Sequence, residues 1–144
     1  GGGEVLMIDP LAASTRLASA GMEAQSLRLR IAAENVANAQ SVGDGPGADP
    51  YARKTVTFRA AMDRVAGGPT VALRKIGTDD APFRIERDPG NPAADADGNV
   101  KMPNVNMLVE MADIREANRS YEANVQVIKQ ARAMVASVID LLKS

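Results

Sequence analysis

The chain has 144 residues, with no cysteine, histidine or tryptophan, and its 17 basic and 18 acidic side chains leave a net charge of −1. That length suits one domain, and the missing thiol and imidazole remove disulfides, zinc sites and the common nucleophile–base pairs. Balanced charge and only Tyr51, Phe58, Phe83 and Tyr121 as aromatics provide neither the basic stripe nor the stacking platform that nucleic acid requires.

The apolar fraction is made largely of Ala, Val, Leu, Ile and Met, which suits long helices in close contact better than a thick core. No apolar run approaches the ~20 residues of a membrane-spanning helix. Residues 1–8 read as a flexible leader, without the basic start and apolar centre of a secretory signal.

A first helix is expected over residues 9–42. Asp9 can cap it, Pro10 fits its first position, and Ser41-Val42-Gly43 supplies a stop. Apolar or small residues step alternately by four and three through Leu11, Thr15, Ala18, Met22, Gln25, Leu29, Ala32, Val36 and Ala39, the period of a coiled-coil seam. Leu17, Leu27 and Ile31 lie off that seam as a second stripe. Residues 43–105 then read as a small β-rich insert with an extended loop. Its candidate strands are Tyr51–Phe58, Thr70–Ile76 and Pro82–Arg87, with a turn at Gly67-Gly68-Pro69. The prolines and glycines of Asp88–Val105 forbid a long helix or a central strand there.

A second helix is expected over 106–144, free of Pro and Gly and capped by Asn104 or Asn106. Its seam runs Met107, Met111, Ile114, Asn118, Tyr121, Val125, Ile128, Arg132, Val135, Ile139 and Leu142. The fold class is thus mainly α with a small β-rich insert, the two long terminal helices pairing as an antiparallel coiled coil. Off-seam apolar residues such as Leu17, Ile31, Val127 and Val138 would stay exposed on such a pair and mark an interaction surface.

Candidate chemistry is thin. Asp95-Ala96-Asp97-Gly98-Asn99 alternates oxygens as a calcium loop does, but its glycine stands fourth rather than sixth, and Asn106 takes the place of the closing acid. An Asx turn at Asp97-Gly98 accounts for it without metal. Asp79, Asp80, Glu86 and Asp88 could in principle act as an acid–base pair on a glycan, but they fall in a loop and strand with no aromatic sugar platform beyond Phe83. Arg115, Glu116, Arg119 and Glu122 have the spacing of an exposed, self-paired helix face. Asn118 can fix register in the seam, whereas Asn35 and Asn38 suit helix-end hydrogen bonds. No catalytic, metal or cofactor residues are assigned.

Three stretches resemble a known family. SAGMEAQSLRLRIAAENVANAQS, Ser19 to Ser41, is similar to the N-terminal helix motif of flagellar rod and hook proteins. EMADIREANRSYEANVQVIKQARAM, Glu110 to Met134, resembles their closing helix, and RDPGNPAADADGNVKMPNVN, Arg87 to Asn106, resembles the block characteristic of the proximal-rod family, rod protein C. Before Tyr51 the chain departs from that pattern by inserting GDGPGAD, and Ala52 replaces an arginine.

The resemblance implies a non-enzymatic structural subunit of the proximal rod, exported through the flagellar apparatus without a cleaved signal and assembled in the periplasm to transmit torque. Its implied partners are other copies of itself, neighbouring proximal and distal rod proteins and the rod–ring junction protein, with no nucleic acid and no small-molecule substrate. The residues expected to carry helix packing and assembly are Leu11, Ala18, Met22, Leu29, Val36, Met111, Ile114, Asn118, Tyr121, Val125, Ile128, Val135 and Ile139. A related axial protein, a non-flagellar coiled-coil adaptor and a periplasmic glycan-cleaving enzyme are the rival readings.

Overall fold

The computed structural model describes the backbone of residues 2–63 and 68–144, and the side chains of residues 9–59 and 74–144. Among the described residues two long helices, α1 (Gly2–Ala37) and α2 (Met107–Lys143), flank four strands in the sequence, β1 (Lys54–Asp63), β2 (Gly68–Thr78), β3 (Arg84–Arg87) and β4 (Asn99–Met102). The strands form two two-stranded sheets, β1 with β2 and β3 with β4. The fold is mainly α with a small β insert.

The chain divides into two compact units. The first comprises Gly1–Leu27, Phe58–Arg74 and Glu116–Ser144, the second Arg28–Thr57 and Lys75–Arg115. In the first unit the helices run antiparallel. Leu11 and Thr15 line one groove with Ala131 and Val135, and Gly21 abuts Asn124, where an added Cβ would lie 2.7 Å from Asn124 Nδ2. Small side chains make that approach possible: Ala18, Ala24, Ala117 and Ala131 are all buried.

In the second unit, α1 ends on Asn38, whose backbone and side-chain amides both donate to the Glu34 carbonyl, at 3.0 and 2.9 Å. Asn38 thus satisfies a helix-end carbonyl, as expected. The GDGPGAD insert closes on itself: Tyr51 N donates to Ser41 O at 3.0 Å, and Gly43 leaves no room for a Cβ, which would stand 2.6 Å from that of Ala48. Strands β3 and β4 pair antiparallel, Arg84 opposite Met102 and Arg87 opposite Asn99. Val100 and Met102 point inward to a small core with Ala93, against which Val42 and Ala94 pack.

Several expectations require correction. The helix does not open at Asp9-Pro10 after a flexible leader: its backbone is helical from Gly2, and Pro10 lies inside it. Pro10 supplies no amide donor there, and the helix continues on both sides. The strands β1 and β2 extend beyond the runs predicted for them. Gly68-Pro69 begins β2, while Gly67 of the predicted turn lies outside the described residues. A short strand, β4, occupies part of the proline- and glycine-rich segment, paired on one edge alone.

The buried stripes also differ from the predicted seams. Leu27 and Ile31, read as a second stripe, are core residues, whereas Met22 and Leu29 are half-buried. On α2 the fully buried positions are Glu110, Ala117, Ala131 and Val138. Met107, Met111, Asn118, Arg132, Ile139 and Leu142 are exposed. The buried positions of α2 keep the seven-residue spacing but stand one residue before the predicted Met111, Asn118, Arg132 and Ile139, and the closest helix approach favours small residues such as Ala117 and Ala131 over large ones.

Candidate functional site

The most constrained part of the second unit is a polar lock joining α1, the base of the β1–β2 hairpin and α2. Asn35, two residues before the end of α1, is only 1 % exposed and uses its whole amide. Its Oδ1 accepts from Lys54 N (2.8 Å) and Tyr51 OH (2.7 Å), and its Nδ2 donates to Lys54 O (2.9 Å) and Glu110 Oε2 (3.3 Å). The side chain thereby treats Lys54 as a strand partner would, satisfying both main-chain groups at the start of β1.

Arg53 is the second hub. Its Nε donates to Glu110 Oε1, Nη1 to Asp79 Oδ2 (3.3 Å) and Nη2 to Asp113 Oδ2 (3.2 Å). Its backbone is held as well: the amide donates to Asn104 Oδ1 (2.7 Å), and the carbonyl accepts from Asp79 N (2.8 Å). Burial works against the guanidinium charge, but Glu110, Asp79 and Asp113 outweigh it and raise the Arg53 pKa above its ordinary value. Burial also raises the Tyr51 phenol, although the Lys54 charge pulls the other way. At the rim, Lys54 Nζ donates to Glu34 Oε2 at 2.9 Å, holding that carboxyl below its usual range and the ammonium above its own.

The other asparagines share the work. Asn104 donates to Asp79 O (3.1 Å) and Ala81 O (3.0 Å), so it ties the segment before α2 to the end of β2. The cap is Asn106, whose Oδ1 accepts from Leu108 N at 3.0 Å.

This arrangement is built for holding. A guanidinium does not give up its proton near neutrality, and the carboxylates around it are engaged with it. Of the glycan-cleaving candidates, Asp79 is bound to Arg53 and the Ala81 amide, Glu86 to Arg84, and Asp88 to Asn91. In the former calcium candidate the Asx residue is Asp95, not Asp97. Its Oδ1 accepts from the amides of Asp97 and Asn99, each at 2.9 Å, and Gly98 takes the left-handed φ of 81° that the turn needs.

Around the lock lies the opposite chemistry. Met107, Leu108, Val109 and Met111 are exposed, Leu108 at 81 %. In the first unit Met134, Ile139, Leu141 and Leu142 are also exposed, Leu141 at 75 %, and Met134 and Leu141 flank a shallow apolar groove with Ala133 and Val138. Of the residues assigned to assembly, Ala18 is buried. Leu11, Met22, Leu29, Val36, Ile114, Tyr121, Val125, Ile128 and Val135 are half-buried, while Met111, Asn118 and Ile139 face outward.

The lock itself was not predicted. Asn35 suggested only helix-end bonding, and Arg53 carries no signal in the sequence. Glu110 carries one: a single acid inside the apolar run Met107–Met111.

Residues 96–141 match the family model described as flagellar basal body rod FlgEFG protein C-terminal. The chain is 62 % identical over 137 residues to the flagellar basal-body rod protein FlgC of Agrobacterium fabrum, covering 95 % of this chain and 99 % of that protein. It is 42 % identical over 127 residues to the protein of the same name from Salmonella typhimurium (87 % and 92 % covered), and 31 % identical over 150 residues to that of Borreliella burgdorferi (92 % and 98 % covered). With identity of this degree running along nearly the whole of both partners, and two antiparallel helices whose outer faces are rich in apolar side chains, the chain belongs to the flagellar basal-body rod protein FlgC family.

Proposed function

We infer that this chain is a non-enzymatic structural subunit of the proximal rod, a building block that carries torque and is required for flagellar assembly and motility. The observation that carries this reading is the apolar exterior of α2: Met107, Leu108, Val109 and Met111 stand exposed together near its start, and Ile139, Leu141 and Leu142 near its end. Contiguous apolar side chains on an outer face mark association. Neighbouring copies and the adjoining rod and rod–ring junction proteins are the proposed partners. The chain reaches the periplasm through the flagellar export apparatus without a cleaved signal.

Purified basal bodies probed for the chain test this directly. Recovery in the rod fraction, together with loss of all more distal structure when the gene is deleted, supports the reading. Absence from the rods of normally flagellated cells would refute it and favour a coiled-coil adaptor, which would dimerise by itself in solution. Within the rod, Leu108→Asp should abolish swimming while leaving the isolated monomer folded, because that side chain already faces solvent.

A further inference from the structure

The first turns of α2 are amphipathic in the wrong sense. Met107, Leu108, Val109 and Met111 face solvent, while the one charged residue among them, Glu110, is 0 % exposed. The hydrophobic effect alone would turn the helix the other way, since leucine and methionine gain by leaving water and a carboxylate loses by it.

The polar contacts of Glu110 supply a cause. Its Oε1 takes Arg53 Nε and its Oε2 takes Asn35 Nδ2, and one turn further along Asp113 takes Arg53 Nη2. Neither partner is free to follow a rotating helix. Arg53 is fastened through its own amide and carbonyl, and Asn35 grips both backbone groups of Lys54.

We propose that Glu110 is a positioning residue: by engaging Arg53 and Asn35 it fixes the rotation of the first turns of α2, so that Met107, Leu108 and Met111 stay outward for a neighbouring rod subunit. A buried ion pair returns little net stability compared with apolar residues of similar volume. It is costly to misplace, however, and so it selects one helix face over another. The use of that face in assembly rests on the rod reading above; the rotation does not.

The chain has no cysteine, so Leu108→Cys introduces a single thiol whose alkylation rate reports the outward face. That thiol is expected to react quickly in an otherwise unchanged chain. In the background Arg53→Met with Asn35→Leu, where Glu110 keeps its charge but loses both partners, the turn rolls to return that carboxylate to water and carries position 108 inward. Alkylation then slows several-fold while helicity is kept. Glu110→Gln, which preserves shape and an acceptor oxygen, should keep the fast rate. An unchanged rate in the folded double variant would overturn the proposal. Loss of helicity in that variant would overturn it too, because the lock would then be a requirement for folding rather than a choice of face. Failure to find the chain in rods would refute the rod reading and leave the alkylation result standing.

Discussion

Asn35→Asp preserves the shape of the side chain and replaces its only donor group with a second carboxylate oxygen. In the native lock that donor stands 3.3 Å from Glu110 Oε2, and both residues are buried. Two negative charges at that separation repel by ~5 kcal/mol at an effective dielectric of ~20. Proton uptake limits the cost: lifting one carboxyl from about 4 to neutrality takes ~4 kcal/mol, at ~1.4 kcal/mol per pH unit. Loss of the 2.9 Å bond to the Lys54 carbonyl adds ~1 kcal/mol. The variant should therefore be less stable by ~5 kcal/mol at neutral pH, a large share of the ~5–15 kcal/mol typical of a folded domain.

Urea unfolding followed by circular dichroism measures this, with an expected fall in midpoint of roughly 2–3 M. The sign of the pH dependence follows from the new pair. Like charge raises the pKa of one carboxyl in the folded state above its unfolded value. The electrostatic deficit is thus absent below about pH 4, grows as pH rises between the unfolded and folded values, and is complete at neutrality. A neutral-pH loss under ~1 kcal/mol, or an equal loss at both ends of that range, would refute the structural account of the lock.

Three further outcomes follow from single sites. Arg53→Lys keeps the charge but cannot bridge Glu110, Asp79 and Asp113 together, so thermal unfolding should report a loss of ~1–3 kcal/mol; no loss would mean the fork is unnecessary. Gly98→Ala places a Cβ 3.0 Å from Pro89 Cγ at a left-handed φ, and its melt should show a loss of ~1–3 kcal/mol. Lys54→Ala removes the main hydrogen bond that lowers the Glu34 pKa, so carboxyl titration by NMR should move Glu34 back up. In the parent chain the contribution of that carboxylate is present at neutral pH and fades as pH falls through its lowered pKa; an unmoved Glu34 would discount the contact.

Much of the architecture could be read locally. A stretch without proline or glycine beginning at an asparagine predicts α2, and Asn106 caps it, because capping involves residues a few positions apart. Asn38 ends α1 for the same reason. The two-residue period around β1 and β2 located the insert, and the lack of thiol or imidazole removed whole classes of chemistry. Family membership was equally legible, since the helical and loop motifs stand as contiguous residues.

Which faces the helices bury was decided only in three dimensions. A heptad count gives weight to large apolar residues and so selects Met107, Met111 and Ile139, whereas close helix contact selects Ala117 and Ala131 and leaves those larger residues outside. The lock is still further from local reach. Asn35, Arg53 and Glu110 belong to three separate segments, and only Glu110, a single acid inside an apolar run, stands out by itself. Burial of the carboxylate becomes tolerable only when the fold delivers the guanidinium and the amide to it together, because an ionised group can leave water only where its lone pairs are already matched.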